Sequence, residues 1–555
     1  MKRTTIYCML LAMLPTAIVA QESTIDRNVT VEREYQPVIE DAGKITTLPE
    51  VPEPLNTKQR VDYGELFYPL PLGRYLQSLP MATYNKDPKI RQDAFVRLGF
   101  GNYLNTLGDL TLPLLKKEKD RLDIHVNHLG TFGKRKFAET KGSIDYNHYF
   151  RTTELFASVG GIHRFFNYYG SNFSTIGNAL PADVVNGEIG DDSHLGYHAL
   201  LGFRSMPDKV NLRHLGVVRY ENFKTASDWG EQLVHVQYGF DKYLLSNNRF
   251  GIDFDLKNMS YTAPVGQTPT FPDYSVLEVN PYFWMSKGNA SVRLGLSTAI
   301  SFVTGRTFNP SPDISAEWKV FPKFMALYGG IGGGFRTMTT SKLMEENPWV
   351  KPSLRVKDTY TPFKPYFGVK LKPAHFLLLD GFVEYNSIKD QYFFVNDSVV
   401  IPQNMQDNLH YTVNKFKVDY SDATLFRAGA RLSFQFRNVV SSSLKVVSNK
   451  WTTKTIAQAW LKPALEADWN LDVKVNPKLT LSSNFYYEGK RNARLGATVI
   501  EMKPVNDLNL SASYYFDKTY SAFVKLNNVL NSKYEEFPGY DVQGFNFLLG
   551  GAISF

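Results

Sequence analysis

The chain has 555 residues, a formal net charge of +8, 43% hydrophobic residues and an excess of aromatics, 39 Phe and 32 Tyr. Beyond the N-terminus no apolar run approaches the ~20 residues that a membrane helix needs, which excludes helical spanning. The one cysteine, Cys8, excludes a disulfide framework or a cysteine metal site.

Residues 1–20, "MKRTTIYCMLLAMLPTAIVA", combine a basic start (Lys2, Arg3), a short apolar core and a small residue at Ala20, the layout of a cleaved signal peptide. The chain is therefore expected to be exported. Residues 21–90 form a proline-rich extended arm: eight prolines between Pro37 and Pro88 forbid long helices and central strands. Its first part, residues 21–54, carries eight acids against three bases, so the rest of the chain is correspondingly basic. In an exported protein that balance reads first as solubility and loop charge, with contact to anionic lipid or polysaccharide as the weaker alternative and nucleic acid disfavoured. The second part, residues 55–90, holds Phe67, Tyr68, Leu72 and Tyr75, apolar side chains ill suited to a solvated linker.

From residue 91 to 555 the pattern is two-residue alternation. "RLDIHVNHL" sets Leu122, Ile124 and Val126 against Asp123, His125 and Asn127; "GIDFDLKN" sets Ile252, Phe254 and Leu256 against Asp253, Asp255 and Lys257. "LNLSASYYF" repeats it, with Leu508, Leu510 and Ala512 opposed to Asn509, Ser511 and Ser513. Successive side chains of a strand point to opposite faces, so each segment has one face for an apolar medium and one for water. Short joints such as "SKGN" (286–289), "NPK" (476–478) and "DK" (517–518) alternate with long ones at 168–192, 263–273, 338–363 and 397–411. Strands mostly at or above the roughly 9–11 residues that a tilted spanning strand requires, with long loops on one side only, predict a transmembrane antiparallel β-barrel of about 22 strands, an all-β fold preceded by the periplasmic arm. Asp123, His125, Asp253, Asp255 and Lys257 are then candidates for the lumen wall.

Motifs that carry chemistry elsewhere read as strand here. "YGGIGGGF" (328–335) lacks the Lys-Ser/Thr and the helix of a phosphate loop. His194 and His198 would share a helix face, but on a strand they stand ~13 Å apart with no third ligand. No nucleophile motif accompanies the acids and histidines, so no enzyme, cofactor or metal site is expected. Phe165, Phe166, Tyr168 and Tyr169, and Phe485 to Tyr487, fall near strand ends and suit an interfacial aromatic girdle, with a ligand platform in 165–192 as the alternative.

The last 33 residues, "FVKLNNVLNSKYEEFPGYDVQGFNFLLGGAISF", carry Asn528, Leu530, Tyr534, Pro538, Gly539, Tyr540, Gly544, Phe547 and Phe555 in the order of the closing hairpin of TonB-dependent outer-membrane receptors, which this segment resembles. Phe545 stands where that pattern has Arg. The resemblance implies a 22-stranded receptor-like barrel of the outer membrane and a terminal aromatic read by the barrel assembly machinery. Residues 21–90 are too few and too proline-rich for that family's plug, and the opening "STIDRNVTVEREYQPVIEDAGKI" resembles plugless receptor-like barrels of Bacteroidota. Two functions follow: passage of a solute through the lumen and extracellular loops, or a non-transport part of an outer-membrane assembly. Outer-membrane lipid and lipopolysaccharide are expected around the barrel, and a periplasmic or surface partner on residues 21–54. An unplugged lumen must be closed, and the expected seal is residues 55–90 with Phe67, Tyr68, Leu72 and Tyr75, the alternatives being the loops 168–192 and 338–363 folded inward or another protein.

Overall fold

A computed structural model describes residues 94–555 except 172, 175–189, 207–211, 246–247, 270 and 403–407. The signal peptide, the arm and the expected seal at Phe67, Tyr68, Leu72 and Tyr75 lie outside the described residues.

The alternating segments pair in chain order, each antiparallel to the next, and 22 strands close on themselves. Closure is made by Phe95–Gly101, which pairs on one side with Asn105–Lys116 and on the other with the last strand, Asn546–Ser554. Ala94 and Phe555 exchange both backbone hydrogen bonds, at 2.9 and 3.0 Å, so the seam is held to its end. A closed ladder leaves no edge and satisfies every strand amide internally, which a bilayer demands.

Side-chain alternation becomes inside and outside. Phe254 and Leu256 are exposed on the outer surface, as are Leu195, Tyr197, Leu201 and Phe203 of Asp191–Ser205, and Phe547, Leu549, Ile553 and Phe555 at the C-terminus. An apolar exterior this continuous needs lipid as its solvent. The inner row is ionic: Arg97 pairs with Asp109, Arg204 with Glu154, Arg293 with Asp313 and Arg427 with Glu384. These pairs are partly hydrated, so each stabilises the wall by no more than about 1 kcal/mol.

One end carries tight turns. In "NPK" the Asn476 carboxamide oxygen accepts from the backbone N–H of Lys478 and Leu479 at 2.8 and 2.9 Å. In "DK" Asp517 does the same for Thr519 and Tyr520, both at 2.7 Å. These side-chain turns are why so few residues suffice to reverse the strand. "YGGIGGGF" lies within Met325–Arg336, and its glycines allow close passage: a Cβ at Gly330 would run into the Ile314 carbonyl.

One expectation needs correction. Residues 398–402 and 408–411, expected within a long loop, are strand; the ladder between Leu377–Pro402 and Asn408–Phe436 continues through Ser398↔Thr412 to Pro402↔Asn408. These strands have 26 and 29 residues, far beyond the roughly 9–11 needed to span. At the seam, by contrast, Phe95–Gly101 and Tyr520–Asn527 have only 7 and 8. The wall therefore rises on one side and is low at the seam.

A closed ladder loses its hydrogen bonds cooperatively, so protein folded in mild detergent is expected to run anomalously on gels until boiled. Equal mobility before and after boiling would contradict the closed barrel.

Candidate functional site: the loop lid and the lumen wall

The long-loop end is crossed by residues 337–358, which connect Met325–Arg336 to Thr359–Ala374. Within them lies one helix, α1, Thr340–Glu346, capped by the Thr339 hydroxyl accepting from Lys342 N–H at 3.2 Å. The loop reaches walls far from its own strands. Thr340 N–H donates to Glu231 at 2.7 Å, Arg164 donates to the Met344 carbonyl at 3.0 Å, and Trp349 Nε1 donates to the Asn167 carbonyl at 3.1 Å. Tyr274 donates to Asp358 at 2.9 Å. On the tall side, Val350 bridges Phe416, with Phe416 N–H donating to Trp349 O and Lys351 N–H to Phe416 O, both at 2.9 Å.

These anchors surround an apolar core. Met338, Leu343, Met344, Trp349 and Val350 of the loop are buried against Phe166, Tyr392, Phe416, Phe537 and Tyr540. Trp349 stacks on Tyr540 with ring centroids 3.8 Å apart, and the Tyr540 hydroxyl donates to the Asn414 carbonyl at 2.6 Å. Asn414 in turn donates to the carbonyls of Tyr168 and Gly170. The result is a lid spanning the mouth between opposite walls.

The aromatic reading changes accordingly. Phe166 and Tyr168 do not belong to an interfacial girdle; they are buried in the lid core, with Tyr169 packed beside them. The hairpin residues also part company. Asn528, at φ 46, holds the turn through Ser532 and Gln543, while Leu530 is exposed. Tyr534 donates to Asp507 at 2.7 Å, Gly539 (φ 84) forms the bend after Pro538, and Gly544 approaches Asn531. Tyr540 is a lid residue, and only Phe547 and Phe555 of this set stand on the outer row of the closing strand. The signal for the lid was present in the sequence as a long joint dense in Met, Leu and Trp.

Below the lid, the wall candidates take inward positions. Asp255 accepts from His235 and Gln237, both at 2.8 Å, and meets Lys257 at 2.9 Å; Lys257 continues to Glu278 at 2.7 Å. Asp253 shares their row, opposite exposed Phe254 and Leu256. Asp123 pairs with Arg121, and His125 contacts Thr111 at 3.2 Å and Asp145 at 3.9 Å. His194 lies between the rings of Phe166 and Phe223. Among the described residues no group of three or more His, Cys, Asp or Glu could hold a metal.

Two lid carboxyls are titratable near neutrality. Glu345 is 4% exposed and neither oxygen has a hydrogen-bond partner. Burial pushes it up to about 7 from an ordinary 4.5, against the pull of Arg164 and Lys141 and with Glu139 adding to the rise. Asp358 is raised by burial to about 6 from 3.8, although Met338 N–H, the Tyr274 hydroxyl, Lys342 and Lys257 favour its charged form. Burial also lowers Lys342, helped by Lys257 and Arg336. Groups whose closed-state affinity for protons exceeds the ordinary value stabilise closure fully below the ordinary value, and that stabilisation is lost as pH rises through the closed-state value. The closed lid is thus expected to be most stable at pH 4 and to loosen between pH 4 and 7, read as rising single-channel conductance. Glu345→Gln should flatten the upper part of that rise; an unchanged profile would remove Glu345 as its source.

No family model matches the chain, and no curated protein matches it in sequence. Solved structures match its fold. It is similar to the siderophore receptor PirA from Acinetobacter baumannii at 10% identity and a TM-score of 0.63, over 84% of this chain and 81% of that one. The FrpB iron transporter from Neisseria meningitidis (F5-1 variant) gives 12% and 0.61, over 84% and 83%. The ferric-catecholate import receptor Fiu from Escherichia coli K12 gives 10% and 0.60, over 84% and 82%. At such identities the shared property is the fold, a closed antiparallel β-barrel of 22 strands.

Proposed function

We propose that the protein is an outer-membrane, receptor-like barrel that takes up a solute, with its long loops at the cell surface and residues 337–358 as a gate. The observation that carries this reading is the lid: a barrel of 22 strands encloses a wide lumen, and here the mouth is spanned by an apolar loop core rather than left open. Two of the similar structures are named as a siderophore receptor and an iron transporter, which favours passage of a small solute over a purely structural barrel. In this reading residues 1–20 are a cleaved signal peptide and residues 21–90 a plugless, Bacteroidota-type periplasmic arm whose acidic part meets a partner.

The test is a clamp. Val350 and Phe416 are parallel bridge partners, and paired strands stand roughly 4.7–4.9 Å apart, inside the roughly 4.4–6.8 Å Cα range of a disulfide; the sequence has no other thiol after Cys8. The Val350→Cys/Phe416→Cys variant in planar bilayers should show low conductance when oxidised and a several-fold higher one when reduced. Equal conductance in both states would sink the gate.

A further inference from the structure

Beside the lid, between the end of Val440–Thr453, the loop 454–464 and residues 490–492, lies a cavity of about 400 Å³. Its wall includes Asn449, Trp451, Gln458, Lys462, Lys490 and Asn492. We propose that this cavity binds an anionic, hydroxyl-bearing small molecule of one- to two-sugar size, and that Lys462 links its occupancy to the lid. The inference rests on reading the lid as a gate, and it names the class of solute presented there.

The volume falls in the roughly 300–1,000 Å³ range of small-molecule sites. The chemistry of the wall selects the ligand. Trp451, its ring fixed edge-on to Phe393 at 6.0 Å, supplies an aromatic surface of the kind that meets the C–H face of a sugar ring. Asn492 donates its side-chain amide to the Gln458 carboxamide oxygen, an arrangement that keeps the Gln458 amide donors and the Asn492 carboxamide oxygen for hydroxyl groups. Asn449 is held rigid by Arg427, Glu466 and the Pro463 carbonyl, so this side of the cavity is built before a ligand arrives.

The two ammonium groups give the sign of the charge. Lys490 pairs with Glu501 at 2.5 Å, but both side chains are more than half exposed, so that pair is worth little and yields readily to a ligand carboxylate or phosphate. Lys462 lies 3.5 Å from Glu346 at the end of α1, with its ammonium 5.6 Å from the Tyr392 ring centre. Tyr392 itself donates to Glu346. An anion in the cavity competes with Glu346 for Lys462 and so weakens one attachment of the lid. By linkage, weakening that attachment in advance must strengthen anion binding by the same factor.

The full-length protein in detergent would be titrated calorimetrically with glucuronate, glucose 6-phosphate and glucose. The expected result is saturable binding of at least one of the two anions, roughly tenfold tighter than glucose, and the stronger anion tells carboxylate from phosphate. Lys462→Met and Lys490→Met should each weaken it about tenfold while gel mobility stays that of the folded barrel. Glu346→Gln should tighten it several-fold, which a merely structural role for Lys462 would not produce. Absence of saturable anion binding, equal affinity for glucose, or indifference to both lysine substitutions would overturn the proposal. Binding needs no transport, so a failed clamp experiment leaves these affinities readable, and a missing site in a protein whose clamp works strikes the site alone.

Discussion

Replacing Trp349 with alanine is expected to open the long-loop mouth and raise single-channel conductance by an order of magnitude or more. Trp349 is 4% exposed, stacks on Tyr540, meets Phe537 and Tyr169 edge-on and donates its indole N–H to Asn167. Truncating a buried aromatic of this kind costs about 3–5 kcal/mol. The barrel ladder does not pass through Trp349, so the cost falls on lid closure, where each 1.4 kcal/mol is about a tenfold change in the closed-to-open ratio. Gel mobility should remain that of a folded barrel while sensitivity of cells to large antibiotics increases, and Trp349→Phe, which keeps the ring, should fall between. If conductance and sensitivity stay at the parental level in the alanine variant, the lid does not close the mouth.

Leu510→Arg should reduce the amount of folded barrel strongly, and Ser511→Arg should not. Leu510 is midway along Val505–Tyr515, on the outer row that continues to exposed Tyr514, and an Arg near the bilayer midplane costs roughly 2–4 kcal/mol. Ser511 is on the inner row with buried Asp507 and Asn509, and its ladder partners are Lys525 and Ser482, the latter bonded to Asp472. The measurement is the heat-modifiable fraction of each variant recovered from outer membranes. Opposite behaviour of the two would invert inside and outside for this strand.

The contrast between Leu510 and Ser511 also shows how far a sequence carries. Alternation assigns each of them a face because a strand has a period of two whatever it pairs with. Turn residues such as Asn476 and Asp517 are legible for the same reason: their side chains bond backbone two and three residues on. Strand number and all-β class follow from adding such local facts along the chain.

The continuation of the ladder from Ser398↔Thr412 to Pro402↔Asn408 was not legible. Polar residues in "NDSVVIPQNMQDN" satisfy a loop as well as a strand, and above a membrane a two-stranded extension has no bilayer to impose strict alternation. Phe166 and Tyr540 illustrate the same limit. An aromatic near a strand end is equally at home in an interfacial belt and in a buried core, and the seat of Tyr540 depends on Trp349 and Asn414, far away in the chain.

By itself, then, the sequence determined a closed sheet with an apolar exterior, an ionic lumen and long loops at one end, since these rest on contacts between neighbouring strands and on side-chain period. Tertiary structure alone decided that the loops form a lid. Arg164 meets Met344 across 180 residues and Trp349 meets Asn167 across 182, and such contacts exist only after the barrel has closed and brought opposite walls within reach of one loop.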